Sequence, residues 1–79
     1  MKLWLISQTE TQGYDVYDSA VVAAESAEEA SHLHPGEYTT WDDNYPSWAT
    51  KPENVKVELI GDAAPDVTKG VVCASFNAG

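Results

Sequence analysis

Between Lys2 and Lys51 the chain has neither lysine nor arginine, yet it carries nine carboxylates there: Glu10, Asp15, Asp18, Glu25, Glu28, Glu29, Glu37, Asp42 and Asp43. A chain so short of positive charge repels phosphates, so direct binding of nucleic acid is opposed. Cysteine is nearly absent as well. Cys73 stands alone, which excludes an internal disulfide and fits a reducing compartment. Long apolar runs are missing: nothing approaches the roughly 20 residues that cross a bilayer. The N-terminal run Leu3 to Ile6 is too short for a secretory signal. These absences lead to the expectation of a soluble cytoplasmic protein that does not engage membranes.

What is present suffices to fold. Of 79 residues, 43% are hydrophobic, including three Trp, four Tyr and one Phe, which is too much apolar material for a disordered acidic tail. The length allows one domain, residues 1–79, near the lower limit for a self-sufficient core, and leaves little room for a large buried cleft.

Residues Lys2 to Gln8 (KLWLISQ) read as a strand, ending in a polar turn from Thr9 to Gly13. From Tyr14 the sequence YDVYDSAVVAAE reads as a second strand, and the loop containing Gly13 suits an antiparallel hairpin. Ala20 to Ala24 is apolar on both parities, which implies cover on both faces or a bulge. Ser26 with Glu29 three residues later forms a capping box and predicts a helix start. Ala27, Ala30 and Leu33 then form its apolar stripe, with Glu28, Glu29 and His32 outward. Pro35 disfavours helical geometry at His34, so about two turns are expected.

From Gly36 to Asn54 periodicity disappears, while four aromatics, Tyr38, Trp41, Tyr45 and Trp48, accumulate. Val55, Val57 and Leu59 alternate with Lys56 and Glu58 as a half-buried strand. Gly61 to Lys69 is a turn region around Pro65, and Gly70 to Phe76 (GVVCASF) is the last strand. The pattern predicts an α+β fold, β-β-α-loop-β-β, with an antiparallel sheet of about four strands and one short helix packed on one face.

Catalytic and metal signatures are weak. His32 and His34 diverge on a helix and converge on an ion only if the helix ends between them. Cys73 lies in an apolar strand, the setting of a buried, inert thiol. No glycine-rich phosphate cradle and no nucleophile motif occur. No cofactor, no metal and no enzymatic activity are expected.

LISQ near the start, GYDVYDSAVVAAES in the middle and KGVVCASFNAG at the end resemble a family of short acidic proteins of phages and prophages. The resemblance spans both termini and leaves Gly36 to Asn54 least matched. It carries no catalytic residue over. What it implies is a setting in which small acidic proteins inhibit host defence or host transcription.

The charge supports the same direction. Glu25, Glu28 and Glu29 lie near enough on a helix to form one anionic patch, which Asp15 and Asp18 would extend. An acidic aromatic loop of Trp41, Asp42, Asp43 and Tyr45 would offer rings for arginine to stack on. A basic, nucleic-acid-processing host protein is the partner such a surface fits, and an anti-CRISPR or other anti-defence inhibitor is its most concrete form. The plainer reading is that acids favour a helix N-terminus and keep the protein soluble. The aromatics likewise serve either as core or as anchors. The alternative function is a structural phage protein that self-associates, for instance as a homodimer.

Overall fold

The computed structural model describes residues 1–10, 16–36 and 48–77. Among these, the chain forms β1 (Lys2–Ser7), β2 (Val16–Ala24), α1 (Ala27–Ser31), a 3-10 turn (Pro52–Asn54), β3 (Lys56–Asp62) and β4 (Gly70–Asn77). The four strands make one antiparallel sheet in the order β3-β1-β2-β4. The fold is therefore α+β and mostly sheet, with the first two strands central and the last two at the edges. The turn around Gly13 and most of the irregular aromatic segment lie outside the described residues.

Alternation along the two central strands decides which side is core. Trp4 stands opposite Val22 and Ile6 opposite Ala20, so these four share one face. On that face Ile6, Ala20, Val22 and Ala24 cluster with Ala30 of α1 and with Trp48, Ala49 and Val55 from the chain before β3. Trp48, Ile6 and Val22 are the largest fully buried side chains. Each withdraws apolar area worth about 1.5–3 kcal/mol or more from water. A single short helix cannot cover four strands, and among the described residues Trp48, Ala49 and Val55 add to the layer.

The doubly apolar run Ala20–Ala24 is resolved by bulging. The β2–β4 register shifts between Tyr17 and Ser19 and again between Val21 and Val22. Ala20, Val22, Ala23 and Ala24 are buried and Val21 is half-buried. Trp4 reinforces this corner by donating its indole N–H to the Ala24 carbonyl at 3.0 Å.

α1 begins where the capping box places it, but is shorter than expected. The Ser26 hydroxyl accepts from the Glu29 N–H at 3.3 Å, and the Glu29 carboxylate reaches one residue past the cap to the Glu25 N–H, also 3.3 Å. The helix closes at Ser31, because the His32 N–H bonds to Glu29 and the Leu33 N–H to Ala30, tightening the last turn to i→i−3 spacing. Of the expected stripe, Ala30 is buried and Leu33 half-buried, while Ala27 is exposed.

The β3–β4 connection uses Pro65 as a turn residue. The Val67 N–H bonds to the Ala64 carbonyl at 3.0 Å, which places Pro65 at the second position, where its fixed φ is already suitable. Gly70 opens β4 at φ +142°, a conformation open essentially to glycine alone. Gly61 has ordinary φ, and a Cβ added there would meet no heavy atom within 4 Å. Gly70→Ala should therefore lower stability by about 1–3 kcal/mol, and Gly61→Ala should change it by less than about 0.5 kcal/mol. Urea midpoints of the two variants check this; equal midpoints would contradict the assignment of strain to Gly70.

Candidate functional site

An open cleft of about 480 Å³ lies beside α1, lined by Ser26, Glu28, Glu29, His32, Leu33 and Lys69. The capping box ties Ser26 and Glu29 of its wall to the helix start, and Glu28 stands exposed beside them. On the opposite wall Lys69, from the turn before β4, meets the Glu29 carboxylate at 3.4 Å. Both side chains are largely exposed, so the bridge contributes little to stability, but it removes Glu29 from the free anionic surface. The Ser31 hydroxyl donates to the Glu28 carbonyl at 2.7 Å. His32 Nδ1 lies 2.8 Å from the same carbonyl, which it can only approach as a donor.

The structure brings Glu25, Glu28 and Glu29 together at one end of β2 and leaves Asp18 near the other. Seven residues of extended chain separate Asp18 from Glu25, about 23 Å at strand spacing. Asp18 is exposed at the bulge beside β4, and so belongs to a different part of the surface. Asp15, Trp41, Asp42, Asp43 and Tyr45 lie outside the described residues. Trp48 is core, only 1% exposed.

Each lysine stands by a carboxylate. Lys69 bridges Glu29, Lys2 is opposite Asp62 in the β1–β3 register, Lys51 acts on Glu10, and Lys56 shares a strand face with Glu58. Among the described carboxylates, Asp18, Glu25, Glu28, Glu53 and Asp66 are exposed, and the one ion pair within 4 Å is that of Lys69 with Glu29.

Glu10 has a role with no local sign in the sequence. Its carboxylate accepts from the Thr50 N–H at 2.9 Å, the Thr50 hydroxyl at 2.7 Å and the Asn54 amide at 3.1 Å. It thus clamps the segment carrying Trp48 and Val55 to the chain just after β1. The Thr50 hydroxyl and N–H, then Asn54 and Lys51, hold this carboxyl below its ordinary value.

His34 is buried, with its ring edge-on to Tyr17 at 6.2 Å. Nδ1 accepts the Gly36 N–H at 2.9 Å, which fixes the neutral ring with its proton on Nε2. Burial lowers its pKa. His32, by contrast, is exposed. No group of three or more metal-ligating side chains occurs among the described residues. The expectation of a buried Cys73 is overturned: the thiol is exposed, because β4 is an edge strand and only its first residues reach the core. It lines a shallow depression of about 180 Å³ with Leu5, Ser19, Val21 and Ser75.

Both depressed pKa values tie stability to pH with the same sign. The folded state resists protonating His34 and Glu10 more than the unfolded chain does, so their contributions are intact above 6.5 and 4.5 respectively. Each is lost as pH falls from there through the folded-state value. Urea unfolding across this range should show the upper loss shrinking in His34→Asn and the lower loss shrinking in Glu10→Gln. A Glu10→Gln profile parallel to the wild type below pH 4.5 would contradict the clamp.

No protein family, curated protein or solved structure matches the chain, which leaves the chemistry of its own residues as the basis for its function.

Proposed function

We propose that the protein is a non-catalytic acidic inhibitor or adaptor that occupies a basic, nucleic-acid-binding surface of a larger host protein. The observation that carries this reading is the exposed negative charge that four lysines, one of them bridged to Glu29, leave uncompensated. Glu28 remains exposed on the α1 cleft and Glu25 exposed just ahead of the helix cap, with Asp18, Glu53 and Asp66 elsewhere on the surface and a net charge of -9 behind them. A groove built to neutralise phosphates with lysine and arginine releases its counterions equally well to such carboxylates. The field of the whole molecule accelerates the encounter and disfavours acidic competitors.

The resemblance to small acidic phage proteins supplies the biological form, an anti-defence protein such as an anti-CRISPR acting in the cytoplasm of the host cell. The α1 cleft is open and its His32 Nδ1 is committed to a backbone carbonyl, a poor basis for acid–base chemistry. Recognition through charge is what the arrangement supports.

The test uses the purified protein immobilised and exposed to host lysate at low and high salt. Nucleic-acid-processing proteins should be retained at low salt, released by high salt and displaced by added DNA or RNA. The double variant Glu25→Lys, Glu28→Lys, which leaves the capping Glu29 in place, should lose this capture while keeping the wild-type circular dichroism. Undiminished capture by that variant would remove the α1 patch from the mechanism.

A further inference from the structure

The two edges of the sheet are built differently. β3 carries Lys56, Glu58 and Asp62 along its length, the usual protection of an edge against foreign strands. β4 has no charged residue from Gly70 to Asn77, and its sequence GVVCASFN is rich in β-branched and small residues. Val72, Cys73, Ala74, Ser75 and Phe76 are all exposed, with Val72 at 52% and Phe76 at 45%. Phe76 is nonetheless held in place: its ring packs on Tyr17 at 4.6 Å, and Tyr17 in turn meets His34. From Cys73 to Ser75 the strand pairs regularly with β2 on its inner side, against Val21, Ala20 and Ser19. Its outer side thus presents backbone donors and acceptors from an uncharged edge strand, in which Val72 is skipped at the β2–β4 register shift.

We infer that the outer edge of β4 binds the β4 of a second copy of this chain, joining two four-stranded sheets antiparallel across a twofold axis near Ala74. The charge pattern selects this occupant. A cationic partner finds no carboxylate on β4 itself, Asp18 lying one strand inward at the β2 bulge, and an edge such as β3 would have to desolvate Lys56, Glu58 and Asp62 to pair with it. Two chains of charge -9 repel one another least where the contact brings no charged side chain close, and β4 is the described edge that carries none. With Ala74 at the axis, Val72 of one copy stands opposite Phe76 of the other, so the two large exposed apolar side chains of the strand cover one another. Because the same edge is used on both subunits, the contact closes at a dimer and does not propagate into a fibre.

The contact is small beside a standard interface of about 1,600 Å², so the dimer should form reversibly with concentration. Salt should strengthen it by screening the mutual repulsion of the acidic subunits. Binding to a basic partner responds to salt in the opposite direction, which keeps this inference and the proposed function separately testable. Sedimentation equilibrium of the purified chain over a concentration series, at low and high salt, reads both the stoichiometry and the sign. A monomer–dimer equilibrium favoured by salt, abolished in Val72→Lys and retained in Glu58→Lys, is the expected result. Cys73 supplies an independent probe, since antiparallel pairing about Ala74 sets the two thiols on diagonal neighbours. A bis-maleimide should link them into a covalent dimer in the wild type and not in Val72→Lys, with circular dichroism showing both folded. A monomer at every concentration and salt, or a dimer unaffected by Val72→Lys, would overturn the inference. So would a monomeric wild type that loses capture of a basic protein on Val72→Lys, an outcome assigning the edge to that partner.

Discussion

Trp48, packed against the inner face of β1 and β2, is the contact on which the rest of the fold depends. A four-stranded sheet needs a covering layer, and a helix of five residues offers only Ala30 as a fully buried side chain. Among the described residues, the largest part of the remaining cover is one ring from the chain ahead of β3, seated with Ile6, Val22 and Val55. Its indole N–H has no acceptor among the described residues. Glu10 keeps that cover in place through Thr50 and Asn54.

This dependence explains what could be read in the sequence and what could not. Strands, capping box and the bulged Ala20–Ala24 run are local patterns, and each left a periodic or positional mark within a few residues. The Glu10 clamp joins residues 40 and 44 positions apart, and no spacing rule anticipates it. The exposure of Cys73 was hidden for a related reason. An apolar run reads alike whether its strand lies inside a sheet or at its edge, and only the strand order places β4 at the margin. The helix ended before Pro35 could act, because the i→i−3 bonds at His32 and Leu33 had already closed it.

Charge was legible as a total and not as a layout. The deficit of lysine between Lys2 and Lys51 is plain from the residue count, but the pairing of Lys69 with Glu29 and of Lys2 with Asp62 follows from the register and turn that fold them together. The result is a division of the surface. Glu25 and Glu28 stay available near α1, and Asp18 sits at the far end of β2 beside an uncharged edge strand. A protein organised in this way has one region suited to cations and another suited to a strand like its own.

One indole carries the covering layer of the sheet, and urea unfolding of Trp48→Ala, followed by far-ultraviolet circular dichroism, tests this most directly. The expected loss is about 3–5 kcal/mol, most of what a domain of this size possesses at roughly 5 kcal/mol, leaving a chain largely unfolded without denaturant. A variant that unfolds at the wild-type midpoint would show that the sheet is held by something other than Trp48.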